Sequence, residues 1–321
     1  MSKSPEPLLS LIVPLYNESD GLHEFHNSLL KPLEEAVDGS YEIIYSDDGS
    51  DDDTGHIVRS LASQNQRIKL VRLSRNFGKE YALSAGIAAA SGQAIIMMDG
   101  DGQHPVELIP KFVEAWRNGA QVVVGVRADN SQEIWSKRFG SRIFYSFFNS
   151  LTGQKLIPGS TDFRLISRPV QQAFLKLQET DRITRGLIDW LGFRRELIYF
   201  KPNARQHGAA SYNRRKLLGL AANSFVSLTP KPLYIFGILG IVITTCSFIL
   251  GVAVIIEQLI LGDPWHWKYT GTAMLGILIL FLVGILLMSQ GILSLYISHL
   301  HNQSKGRPIY IIDYEASVGL D

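Results

Sequence analysis

The stretch AIIMMDGDGQHP, Ala94–Pro105, joins an apolar run to two aspartates one residue apart, then to Gln103, His104 and Pro105. An unbroken apolar run of this length reads as a buried strand, and the change to Asp and Gly marks its carboxyl end. At such a transition the carboxylates of Asp99 and Asp101 can reach one hard cation. Mg²⁺ commonly takes one or two carboxylates together with substrate phosphate oxygens. Gln103 offers a third oxygen. Gly100 and Gly102 are expected to give the loop freedom and to let a ligand approach the backbone. Pro105 is expected to start the next helix, where a first-turn proline is welcome. A short-spaced aspartate pair is also common in surface turns, so its place after an apolar strand carries the weight.

Working outward, the same pattern repeats. LLSLIVPLY, YEIIYSDD, IKLVRLS, AIIMMDGD and QVVVGVR read as strands, with helical stretches near 21–37, 52–63, 79–90 and 105–117 between them. Ile-, Val- and Leu-rich strands separated by helices predict an α/β fold with a mostly parallel sheet covered on both faces. Ligands bind beyond the carboxyl ends of such strands, where YNESD, DDGSDDD, SRNFG and DGDGQHP cluster. STDFRLISR, 160–168, reads as a loop and short strand, and RELIYFK as another strand.

Glu18, Asp47 and Asp48 end earlier strands, and so many carboxylates in one cleft repel unless a cation or donors are present. Asp48 is expected to accept hydrogen bonds from a nucleoside. DDGSDDDTG equally suits a turn leading to a helix N-terminus, with residues 50–53 capping. Asn76 and Gly78 in SRNFGKEYALSAG fit either a capping turn or a donor-side loop.

The 321 residues carry a net charge of +1, which gives no basic excess for binding nucleic acid. Cys246 is the one cysteine, so no internal disulfide forms, in keeping with a reducing compartment. The N-terminus lacks the apolar core of a signal peptide. Residues 233–256 and 269–298 are free of charged side chains, and a span needs roughly 20 apolar residues. Two membrane helices are expected, 232–257 and 270–298, joined by a short outer loop, 258–269. Arg214, Arg215, Lys216 and Lys231 precede the pair and Lys305 and Arg307 follow it, so both ends face the cytoplasm. Residues 133–151 place Lys137, Arg138 and Arg142 among aromatics at helical spacing. That suits a membrane-surface helix or core packing of the domain. Residues 206–231 resemble a second interfacial helix, which leaves 1–205 as a cytoplasmic catalytic domain and 299–321 as a cytoplasmic tail.

VPLYNE, YSDDGSDD, LSRNFGKEYAL, MMDGDGQHP, STDFRLISR and ARQHGAASY together, in this order, resemble the family 2 glycosyltransferases of GT-A fold. Within them the chain is most similar to the polyprenyl-phosphate glycosyltransferases, the bactoprenol glucosyltransferase and dolichol-phosphate mannose synthase type. The resemblance covers almost the whole chain. It implies a nucleotide-sugar donor, a polyprenyl phosphate acceptor and Mg²⁺ or Mn²⁺ on Asp99, Asp101 and Gln103. By the same resemblance Pro14, Tyr16, Glu18 and Asp48 line the nucleobase and ribose pocket. Lys79 joins them in binding the donor, and Arg205 closes on its phosphates. Arg127, Lys137, Arg138 and Ser141 fall where the acceptor phosphate is held, although each cation could equally be solvated or face a lipid headgroup.

Asp162 matches an aspartate proposed as the catalytic base. A phosphate monoester is largely ionised at neutral pH, its second pKa being about 6, so Asp162 could instead orient the acceptor, hold a sugar hydroxyl or pair with Arg164. Two departures stand out. Gly100 and Gly102 replace the Ala and Leu of many relatives, which predicts a looser loop, and Gly208–Tyr212 lacks their Ser and Lys, which bears on donor closure and on the sugar. The expected reaction is inverting, in the bacterial plasma membrane, with UDP-glucose as donor by resemblance only and the same chemistry with another sugar (GlcNAc, mannose, galactose or an aminoarabinose type) as the alternative. A flippase and a downstream glycosyltransferase are the implied functional partners. A processive synthase would carry a Gln-x-x-Arg-Trp motif, absent here; an inactive membrane scaffold is the alternative of another class. Gly276, Gly284 and Gly291 would permit close helix contacts and a homo-oligomer.

Overall fold

Seven strands form one sheet, whose inner strands are apolar runs buried on both faces. The computed structural model describes residues 7–128, 157, 159–179, 182–202, 245, 249 and 271–320, with only part of the side chains in 271–304. The chain divides into two units, Met1–Ser211 with Arg307–Asp321, and Tyr212–Gly306.

In the first unit, β1 (Leu9–Leu15), α1 (Leu22–Val37), β2 (Tyr41–Asp47), α2 (Thr54–Gln64), β3 (Ile68–Arg72), α3 (Lys79–Ala89) and β4 (Ala94–Met97) follow the predicted alternation. A single 3-10 turn, Val106–Leu108, then leads into α4 (Ile109–Arg117). Pro105 therefore precedes a 3-10 turn, and Pro110 takes the first turn of the helix proper. β5 (Val122–Arg127), β6 (Ser160–Ser167), α5 (Arg168–Leu175), α6 (Thr184–Trp190) and β7 (Arg195–Phe200) complete the unit.

The order across the sheet is β3-β2-β1-β4-β6-β5-β7. β1 pairs in parallel with β2 and β4, β2 with β3, and β5 with β7. β6 is antiparallel to both β4 and β5. The α/β fold with a mostly parallel sheet is thus as expected. Alternation sorts the side chains: Leu9, Leu11, Val13 and Leu15 pack with α1 and α4, and Ile12, Ile44 and Ile95 with α3 and α5.

STDFRLISR departs from expectation, since it forms an eight-residue strand in the middle of the sheet. Asp162 and Arg164 disguise it. Phe163 and Leu165 fill one face, while Arg164, only 1% exposed, enters the other and meets Asp189 of α6 in a two-pronged ion pair at 2.8 and 3.3 Å.

The last residues return to the first unit. Leu73 and Leu70 of the β3 region bridge antiparallel to Ile312 and Val318. The Ser74 N–H donates to the Ile311 carbonyl, the Asp313 N–H to Arg72, and the Arg59 guanidinium to Ala316. This end strand of the sheet is therefore covered, which removes an open pairing edge.

In the second unit, α7 (Gly271–Ser304) is a 34-residue helix. The side chains described along it do not by themselves make a helix long and apolar enough to cross a membrane. The expected surface helix 133–151, the segment 206–231, the loop 258–269 and, apart from Thr245 and Ile249, the first span lie outside the described residues.

Candidate active site

The carboxyl ends of β1, β2 and β4 meet the amino-terminal half of β6 at one mouth of the sheet. The β1 loop is knitted to the β2 loop: Asn17 N–H donates to Ser50 Oγ, Glu18 N–H to Thr54 Oγ1 and Ser19 N–H to Asp52 Oδ2. Asp52, one residue before the Asp53 N-cap, also accepts the Thr54 N–H, so the acidic run leads into the N-terminus of α2, although Asp53 itself makes no side-chain cap. Asp47 is inside, accepting from Ser50 and standing 3.6 Å from Arg72. Tyr16 is exposed at the rim, and Pro14 and Glu18 are partly so.

Asp48 is 2% exposed and accepts the N–H groups of Phe77 at 2.7 Å and Gly78 at 2.8 Å. Burial pushes its carboxyl up, against those two hydrogen bonds. The SRNFG loop and the DDGSDDD loop are thereby one body, and the donor-side alternative for SRNFG gains a physical link to Asp48.

Met97 pairs with Arg164 across β4 and β6. Continuing that antiparallel register past the strand end sets Asp162 opposite Asp99. Lys79, first residue of α3, reaches between them: its Nζ stands 2.6 Å from Asp99 Oδ1 and 2.8 Å from Asp162 Oδ2. Desolvation opposes the ammonium, but the two carboxylates outweigh it and hold Lys79 above its usual range. Burial would raise Asp162, and Lys79 first, then Arg185 and Arg164, keep it below the usual carboxylate range. Arg164 is not its direct partner, being engaged by Asp189. A carboxylate so stabilised as an anion is a weak base.

The DGDGQ loop is braced from within. Gln103 N–H donates to Asp101 Oδ1 at 3.1 Å, and Gln103 Oε1 accepts from Arg127 at 3.0 Å. A Cβ on Gly100 would stand 2.9 Å from a Leu15 methyl carbon, and Gly102 has φ of +72°. Gly102 thus uses the left-handed backbone region that favours glycine, whereas a Cβ on Gly100 would chiefly displace the end of the Leu15 side chain.

His104, given no role by the sequence, lies 2% exposed beneath this loop, stacked on Phe163 at 5.2 Å and edge-on to Phe200 at 5.9 Å. Its Nδ1 accepts the Asp99 N–H at 3.2 Å, which places the proton on Nε2. Burial lowers its pKa. Only its neighbours Gln103 and Pro105 hinted at this supporting place.

Oxygen donors suited to a hard cation are present. Asp99 and Asp162 already converge on one positive charge, and Asp101 is on the same loop. Among the described residues no group of three or more His, Cys, Asp or Glu side chains surrounds a single point. Two carboxylates completed by phosphate oxygens are an ordinary Mg²⁺ set. Arg205, Lys137, Arg138 and Ser141 lie outside the described residues.

Residues 10–174 match the family described as Glycosyl transferase family 2. The chain belongs to that family and is a glycosyltransferase with a GT-A-like α/β fold. It is 37% identical over 304 residues to an uncharacterized glycosyltransferase of Synechocystis sp., covering 95% of this chain and 94% of that one. It is 34% identical over 307 residues to a bactoprenol glucosyl transferase of Shigella phage SfV, covering 96% and 98%. Among solved structures, glucosyl-3-phosphoglycerate synthase from Mycobacterium tuberculosis, in complex with Mn²⁺, UDP-glucose and phosphoglyceric acid, is 20% identical with a TM-score of 0.46, covering 69% and 78%.

Proposed function

We propose that this glycosyltransferase moves a hexose, glucose from UDP-glucose in the first instance, onto the phosphate of a polyprenyl lipid at the cytoplasmic face of a bacterial plasma membrane. The bactoprenol glucosyl transferases, similar along nearly their whole length, support the acceptor class. The observation that carries the chemistry is the convergence of Asp99 and Asp162 on one positive charge at the end of β4. Asp48, Pro14, Tyr16 and Glu18 form the adjoining pocket for the nucleoside, with Lys79 toward the donor's phosphates. Asp99 and Asp101, with Gln103 beside them, would hold Mg²⁺ or Mn²⁺, which would supply Lewis-acid stabilisation of the departing diphosphate. Arg127 orients the acceptor phosphate from the far side of Gln103, with Lys137, Arg138 and Ser141 assigned beside it and Arg205 to the donor phosphates. The acceptor oxygen, already ionised, attacks the anomeric carbon opposite the leaving group and inverts it. Asp162 works as a fixed anion.

The membrane hairpin is part of the same proposal. The charge-free stretches 233–256 and 269–298 support it. So does the length of α7, about 50 Å at 1.5 Å per residue, against a hydrocarbon core of about 30 Å. Leu275, Ile279, Leu286, Ile297 and Leu300 of that helix are exposed, which suits lipid better than water. The return of residues 307–321 to the first unit beside β3 is compatible with such a pair of spans.

The test is a donor panel. Purified full-length protein, undecaprenyl phosphate and Mg²⁺ or Mn²⁺ are incubated with UDP-glucose and other nucleotide sugars, and the lipid product is weighed by mass spectrometry. A hexosyl lipid that needs metal supports the proposal; nucleotide-sugar turnover with no glycolipid from any donor defeats it.

A further inference from the structure

We infer that Lys79 is a built-in competitor of the divalent metal: its ammonium neutralises Asp99 and Asp162 in the resting site and must leave Asp99 before a metal can be held there. The inference rests on the metal-dependent reading above and adds to it an order of events.

Geometry gives the first ground. One nitrogen stands 2.6 Å from Asp99 Oδ1 and 2.8 Å from Asp162 Oδ2, so it lies where a cation bridging these side chains would lie. A divalent ion taking Asp99 and an ammonium keeping the same oxygen would be like charges in near contact. The second ground is the position of Lys79 at the first residue of an 11-residue helix. The helix dipole disfavours a cation there, so the two carboxylates are what hold it. The third is freedom to move: the Lys79 side chain is 45% exposed, whereas Asp99 and Asp162 are 25% and 20% exposed. The lysine is the mobile partner, and Asp162, on a central strand, retains it when Asp99 is taken.

The fate of the released charge follows from what arrives. Metal alone brings two positive charges to a site that already holds one. Metal with a nucleoside diphosphate brings phosphate oxygens toward which Lys79 can swing from its Asp162 anchor. Metal and nucleotide therefore bind cooperatively, and the metal is poorly held without nucleotide.

The experiment measures Mn²⁺ binding to the purified full-length chain by titration calorimetry or by loss of the free Mn²⁺ electron paramagnetic resonance signal, without and with UDP. The wild type should bind Mn²⁺ weakly alone and more tightly with UDP. If the lysine-bound form makes up nine-tenths of the resting molecules, Lys79→Met and Lys79→Gln should tighten Mn²⁺ binding without UDP about tenfold and shrink the gain on adding UDP. Lys79→Arg keeps the charge and should stay within about twofold of wild type. The two neutral variants guard against one misfolding, which a thermal melt reveals. Unchanged or weaker Mn²⁺ binding in the neutral variants overturns the inference while leaving the metal reading intact. Tightening in Lys79→Arg equal to that in Lys79→Met overturns it too. No Mn²⁺ binding to wild type in either condition removes the metal reading, and this inference with it.

Discussion

Arg164 and Asp189 meet inside the domain as a bidentate pair, with side chains 1% and 6% exposed. The pair ties β6, which carries Asp162, to α6, and Arg164 also donates to the carbonyls of Thr161 and Arg185. Removing one partner strands a buried charge. Asp189→Ala should cost about 3–5 kcal/mol, measured as loss of stability in thermal or denaturant unfolding of the purified protein. The double variant Arg164→Met/Asp189→Leu should recover much of it; a double variant as unstable as the single would show that the pair matters for more than charge.

Asp162 separates anchoring from base catalysis. Held as an anion by Lys79, it should not supply a titrating step. Asp162→Asn should lower transfer about 100-fold, at the low end of what losing one positioned electrostatic group costs. The acid limb of the kcat/KM profile should stay where the lipid phosphate puts it, near a pKa of about 6. Loss of that limb in the variant would make Asp162 the base after all.

His104 tests the support beneath the DGDGQ loop. His104→Phe keeps an aromatic ring between Phe163 and Phe200 and leaves the Asp99 N–H without its acceptor. An unmet buried donor costs about 1–3 kcal/mol. Mn²⁺ binding in the presence of UDP should weaken, and the unfolding midpoint should fall by several degrees. Full metal affinity would show that Asp99 needs no such brace.

Glu42 gives a pH signature remote from the site. Burial would raise its carboxyl, yet hydrogen bonds from Ser10, Lys69 and Ser91 hold it below the usual range. A group depressed in the folded state adds stability that is complete above its unfolded pKa of about 4.3. That stability is lost as pH falls through the lower folded value. Glu42→Gln should therefore be less stable than wild type at pH 7, by about 1–3 kcal/mol, and the gap should close toward pH 3. A gap independent of pH would contradict the assignment.

Much of the scaffold was legible because periodic apolar runs report burial directly. β1 to β5, β7 and the helices after β1 to β4 stand within a few residues of their expected places. β6 escapes the pattern because Arg164 counts as polar in sequence and as core in space, where Asp189 and the carbonyls of Thr161 and Arg185 receive it. The acids at the strand ends were legible as a cluster. Their partners were not: nothing in the spacing of Lys79, 83 residues from Asp162, says that it bridges to β6. His104 was invisible for the same reason, its acceptor role being set by two phenylalanines from distant strands.

The tail beside β3 also bears on biogenesis. At about 5–20 residues per second, the ribosome needs roughly 5–20 seconds to pass from the end of the first unit near residue 211 to its return at residue 307. Throughout that interval β3 lacks its pairing with residues 311–318, which forms only once those residues have been made.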